Sequence, residues 1–139
     1  KWIADIETVG GAVVTFPIVA DTDLTVSKAF DMLPAEAYLP DGRTPAHSAT
    51  VRSVFIIGPD KQLKLSMTYP MTVGRNFGEI LRGLDALQTA ANQGVAMPAN
   101  WELGQDVIIP TSVSDADAAA KYGSFTTVLP YLRTTSLKG

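Results

Sequence analysis

The chain has 139 residues, 46% of them apolar and 18% charged, which is the size and composition of one folded domain and too apolar for a disordered segment. It holds no cysteine and one histidine, His47. That excludes disulfides, cysteine-ligated zinc, iron–sulfur clusters and a cysteine nucleophile within the chain, and leaves a Ser-His-Asp triad only that one imidazole. The 11 basic and 14 acidic residues give a net charge of -3 and form no basic cluster, so nucleic acid is not expected as a partner.

No apolar stretch approaches the ~20 residues that a membrane helix needs, so no membrane partner is expected. The opening KWIADI lacks the series of a signal peptide and places Trp2, Ile3 and Ile6 on one face. It reads as the end of a helix already in progress, in a chain that starts mid-domain. Residues 14–20, VTFPIVA, form a β-rich run, with Pro17 suggesting an edge or a strand start. Asp23 is placed to cap a short helix from about Leu24 to Met32, stopped by Pro34. Asp21 and Asp23 fit a capping turn better than a metal site. Residues 34–49, with Pro34, Pro40, Gly42 and Pro45, read as loop; His47 falls there with no catalytic partner in view.

VRSVFIIG (51–58) is the strongest strand, and its continuously apolar second half is expected to be buried on both faces. Gly58 to Lys61 make a turn. In QLKLSMTY (62–69), Leu63, Leu65, Met67 and Tyr69 alternate onto one face, which predicts an antiparallel partner with one exposed side. The best helix runs over 76–93, with Phe77, Ile80, Leu81, Leu84, Leu87 and Ala91 at helical spacing. Asn76 with Glu79 three residues on forms a capping box, and Gly94 closes the helix. Arg82 and Asp85 read as a solvated pair.

Beyond it, residues 95–105 are irregular and DVIIP (106–110) is a short strand. Ser114 followed by Asp117 starts a helix through Tyr122, ended by Gly123, with Asp115 and Asp117 in its first turn. TTVLPYLRTT (126–135) is extended, interrupted at Pro130, and suits an edge or an arm. Trp101, like Trp2, is expected as a core or interface anchor. A boundary near Gly94–Pro98 divides the chain into 1–94 and 95–139.

Chemistry is most legible at Thr72-Val73-Gly74-Arg75-Asn76, the mouth of the best helix. A helix start offers free N–H groups and about half a positive charge. Arg75 adds a full charge and a planar five-donor fork, a combination that favours an anion such as a carboxylate, a phosphate or a thiolate. The alternative is that Arg75 pairs with a nearby acid and Asn76 merely caps. No G-x-G-x-x-G, Walker or G-x-S-x-G pattern is present.

Several runs resemble the one-cysteine peroxiredoxin family, in its subgroup related to mammalian peroxiredoxin 6. They are KWIADI (1–6), FPIVAD (16–21), SVFIIGPDKQLKLSMTYPMTVGRNFGEILR (53–82), LDALQTAANQGVAMPANWELGQDVIIP (84–110) and PYLRTT (130–135), which together span nearly the whole chain. The resemblance implies an α/β chain: part of a thioredoxin-like fold, a central mixed sheet with flanking helices, over 1–94, and a small C-terminal peroxiredoxin domain and dimerisation arm over 95–139. It implies a peroxidase that reduces hydrogen peroxide and organic hydroperoxides, uses no metal or organic cofactor, is recycled by an external thiol reductant, and works as a homodimer. A cytoplasmic location goes with the missing targeting signal.

Arg75 matches the arginine that contacts the family's reactive cysteine and the peroxide. A close positive charge lowers a thiol from about 8.5 into the ~3.5–7.5 range. The family's Pro-x-x-x-Thr-x-x-Cys motif is expected upstream of Lys1, so the chain alone is expected to be inactive. Two further departures stand out: Gly94 where the subgroup often has an arginine, and Gly78 where an acid is common. A module of the same shape without a nucleophile, serving dimerisation or binding, is the alternative.

Overall fold

The computed structural model describes residues 2–33 and 49–137. His47 and the proline-rich loop lie outside the described residues, as does the side chain of Trp2. The chain forms two compact units, Lys1–Thr50 and Val51–Gly139.

The first unit contains α1 (Trp2–Gly10) and α2 (Thr25–Ala29). The helix expected at the N-terminus is present; Ile6 is half-buried and Ile3 is 51% exposed. The strand expected over 14–20 is absent: the segment has no regular structure, and Phe16 and Val19 lie open to solvent. β propensity becomes a strand only against a ladder partner, and Pro17 lacks the donor such a ladder needs. α2 is shorter than expected, and its start differs. Leu24 is left-handed at φ 59, and Asp21 rather than Asp23 takes most of the orphan amides. Its carboxylate accepts the amides of Val26 and Ser27, both at 2.9 Å, and the Ser27 hydroxyl at 2.5 Å. These bonds, the hydroxyl first, hold the Asp21 carboxyl below the usual carboxylate range. Asp23 accepts only the Thr25 amide, at 3.2 Å.

The second unit opens with a hairpin of β1 (Arg52–Ile57) and β2 (Leu63–Tyr69), antiparallel from Arg52 opposite Tyr69 to Ile57 opposite Leu63, with an irregularity at Ile56/Ile57. The turn forms where expected: Lys61 N–H donates to the Gly58 carbonyl at 2.9 Å. Alternation along β2 holds from Leu65 on, with Leu65, Met67 and Tyr69 half-buried between exposed Ser66 and Thr68, whereas Leu63 at the strand's start is 57% exposed. Burial of β1 on both faces does not. Its residues are at most half-buried and Ile57 is 53% exposed, because an unbroken apolar run specifies a strand without saying how many layers cover it.

Helix α3 (Phe77–Gln93) lies against this hairpin. The contact is made at Gly83, which is buried. A Cβ added there would stand 3.4 Å from Leu65 Cδ1 and 3.5 Å from Met67 Cε. Ile80, Leu84 and Leu87 flank it and are half-buried, whereas Phe77 and Leu81 are 68% and 61% exposed. The expected apolar face is therefore two adjacent stripes, of which the one through residue 83 is covered. Gly94 closes the helix at φ 65, a conformation that disfavours side chains.

The remaining elements are β3 (Val107–Ile109), α4 (Asp115–Tyr122), β4 (Thr126–Leu129) and β5 (Leu132–Thr135). They form a three-stranded antiparallel sheet in the order β3-β5-β4. The extended C-terminal segment is thus a hairpin turning at Pro130-Tyr131, with β5 the central strand. α4 starts at the expected box, where Ser114 Oγ accepts the Asp117 amide at 3.1 Å and donates to its carboxylate at 2.7 Å. Val95, Trp101, Val107, Ile109, Ala118 and Tyr122 make one buried core. The Tyr122 hydroxyl reaches the α3 terminus, 3.0 and 2.9 Å from the Gln93 and Gly94 carbonyls. It occupies the end of the helix ladder, where carbonyls lack partners.

Candidate functional site

The segment from Pro70 to Asn76 is positioned at both ends. At its start, the Val73 amide closes a turn onto the Pro70 carbonyl at 3.0 Å, and Arg52 Nε donates to the Met71 carbonyl at 2.8 Å. Arg52 lies opposite Tyr69 in the hairpin, so the ladder register delivers this guanidinium to the loop. At its end, Asn76 has extended φ/ψ and its Oδ1 accepts the Glu79 amide at 3.1 Å. The amides of Phe77 and Gly78 belong to the first helical turn, which the ladder leaves unpaired. A Cβ at Gly78 would stand 3.3 Å from Asn76 Oδ1, so the cap must shift slightly to admit one.

Only half of the expected capping box forms, because the Glu79 side chain turns to Arg82. The pair is bidentate, Nε to Oε2 at 2.6 Å and Nη2 to Oε1 at 2.7 Å. Hydrogen bonding from Arg82, its largest cause, holds the Glu79 carboxyl below its usual range, and the same contact raises Arg82. Arg82 Nη1 also donates to the Trp101 carbonyl at 3.2 Å, which ties the helix start to the core. The Arg82–Asp85 pair expected from spacing is replaced by this one; Glu79 lies one turn toward the N-terminus and offers both oxygens to the fork.

Arg75 is exposed, and its side chain makes no hydrogen bond or ion pair among the described residues. Glu79, the acid in the helix's first turn, is taken by Arg82. An open groove of about 490 Å³ begins at Asn76 and is lined by Glu79, Arg82, Asp85, Trp101 and Leu103; Arg75 is not among its lining residues. Arg52 does not stand out in the sequence. Its signal was a lone cation at the head of an apolar strand, but only the register shows that it meets the same loop. Among the described residues, no cluster of three metal-ligating side chains occurs, and no helix is long and apolar enough to cross a membrane.

The family model for the C-terminal domain of 1-Cys peroxiredoxin matches residues 86–124. The chain is 48% identical over 141 residues to "Peroxiredoxin PRX1, mitochondrial" of Saccharomyces cerevisiae, covering 99% of this chain and 52% of that protein. It is 40% identical to a protein of Bromus secalinus named "Probable 1-Cys peroxiredoxin", covering 99% of this chain and 69% of that one. A solved structure of yeast mitochondrial 1-Cys peroxiredoxin superposes with a TM-score of 0.85 at 46% identity, over 97% of this chain and 63% of that one. The α/β class and the thioredoxin-like peroxiredoxin architecture expected from the sequence hold, while the described strands pair only antiparallel, in two small sheets rather than one central mixed sheet. The chain spans about half the length of the Saccharomyces relative. With this identity over most of the Bromus protein, the chain belongs to the 1-Cys peroxiredoxin family.

Proposed function

We propose that this chain is part of a thiol peroxidase that reduces hydrogen peroxide and organic hydroperoxides, with Arg75 holding the reactive sulfur and the peroxide. The chain has no cysteine, so the thiolate in this reading is carried outside the 139 residues. Its sulfur attacks the O–O bond and takes one oxygen to become a sulfenic acid. The other oxygen leaves with a proton as water or alcohol, and an external thiol restores the sulfur. The observation that carries the reading is the exposed Arg75 guanidinium at the mouth of α3, without an acid partner among the described residues. Unspent donors beside a helix N-terminus favour the thiolate over the thiol, and they favour the charge that grows on the departing oxygen. Arg52, fixed to the same loop, adds a second cation.

Within this reading, residues 1–94 belong to the thioredoxin-like domain and 95–139 to the C-terminal domain and dimerisation arm. The C-terminal-domain match covers 86–124, so it takes in most of the second part and begins within α3. The yeast structure is described in terms of thiol resolution through glutathione/thioredoxin systems, and a reductant of that class suits this chain. A cytoplasmic location is part of this reading; the Saccharomyces relative is named mitochondrial, and fractionation of the source cells decides between the two.

Thiol-dependent peroxide consumption is expected from the source protein with its cysteine-bearing segment and is expected to be absent from the 139-residue chain. Equal consumption by the chain alone contradicts the reading. The reading puts a homodimer contact at the β4–β5 hairpin, and the exposure of Tyr131 (68%) and Val128 (54%) supports it. Tyr131→Asp is expected to lower the sedimentation mass from a pair to one subunit, and an unchanged mass removes the turn from the interface.

A further inference from the structure

We propose that Met71 is a site of sulfur oxidation, the thioether of this chain to which a hydroperoxide adds oxygen first. The four methionines are Met32, Met67, Met71 and Met97, and the fold treats them differently. Met67 lies on the covered face of β2, its Cε 3.5 Å from where a Cβ on Gly83 would stand. Met97 packs against the buried core and lines an apolar groove with Leu65, Gly83 and Leu87. Met32 is half-buried in the first unit. Met71 alone among them is exposed, at 46%.

Its exposure is built into the loop. Met71 is the second residue of the turn closed from Val73 to Pro70. Arg52 Nε donates to the Met71 carbonyl, which fixes the backbone that carries the exposed thioether.

The chemistry balances without a cofactor. The thioether sulfur attacks one oxygen of the hydroperoxide and the O–O bond breaks. The sulfur loses two electrons and becomes a sulfoxide. The second oxygen leaves with the proton as water or alcohol. Access governs this reaction, because the sulfur needs no deprotonation. The product replaces an apolar tip by a polar acceptor, one carbonyl away from the Arg52 guanidinium and four residues before Arg75. The inference does not rest on the peroxidase reading, since added hydrogen peroxide is the oxidant.

The test exposes the 139-residue chain, with its circular dichroism recorded, to hydrogen peroxide for graded times, and reads each methionine by peptide mass spectrometry. Met71 sulfoxide is expected to form at least about fivefold faster than sulfoxide at the other three, a difference set by access. In guanidinium chloride the four rates are expected to converge. Met71→Leu is expected to remove the fast uptake of one oxygen and leave the slower phase. Oxidation of Met32, Met67 or Met97 as fast as Met71 under native conditions, or a fast phase that survives Met71→Leu, overturns the proposal.

Discussion

Trp101→Ala is expected to lower the stability of the second unit by about 3–5 kcal/mol, the usual loss for emptying a well-packed aromatic site. Trp101 is 1% exposed, and with Val107 and Ile109 it is among the largest fully buried side chains. Three further contacts make it a junction. Its indole N–H donates to the Gln105 carbonyl at 3.1 Å, its amide to the Pro98 carbonyl at 3.3 Å, and its own carbonyl accepts Arg82. Alanine keeps the backbone bonds but leaves a cavity between Val95, Ala118 and the β3 strand. The Gln105 carbonyl then loses its donor as well. Trp101→Phe retains most of the volume and is expected to cost less than half as much. Urea unfolding followed by circular dichroism reads both, and a Trp101→Ala midpoint equal to that of the parent contradicts this account of the core.

Arg133→Met is the second large effect, at about 2–4 kcal/mol, because it strands polar groups that the guanidinium now satisfies. Arg133 sits on the central strand and is 7% exposed. Its Nη2 donates to the Pro110 and Val113 carbonyls at 2.9 and 2.6 Å, its Nη1 to Asp115 at 2.5 Å, and its guanidinium lies 5.8 Å from the centre of the Phe125 ring. One buried cation therefore fastens the loop between β3 and α4 to the sheet. Methionine fills much of the same space but donates nothing. The ion pair is the smaller part: the Asp115 side chain is 79% exposed, so Asp115→Asn is expected to cost under about 1 kcal/mol. Denaturant midpoints of the two variants test this ranking, and a larger loss from Asp115→Asn reverses it.

The second unit was largely legible in the sequence because its signals are local. Alternation along Leu65–Tyr69, the Asn76 and Ser114 caps, and Gly94 and Gly123 as stops each specify a short stretch of backbone. The structure has each of them where expected. The signals that failed depend on a neighbour. Residues 14–20 have strand composition but no ladder partner in the described structure. Phe77 and Leu81 have helical spacing, yet Gly83 decides which stripe meets β2. Arg82 chose Glu79 over Asp85 because a bidentate geometry was available one turn back. At the site, Arg75 stood out by its place beside a helix cap. Arg52 did not, since a strand register separates it from the loop it holds.

The charge of Arg75 is expected to keep a nearby cysteine ionised in the protein that carries it. Thiolate absorbance titrated against pH in that protein, with and without Arg75→Ala, measures this directly. Loss of the guanidinium is expected to raise the midpoint of the reactive thiol by at least about one pH unit. A midpoint that stays where it was contradicts the claim.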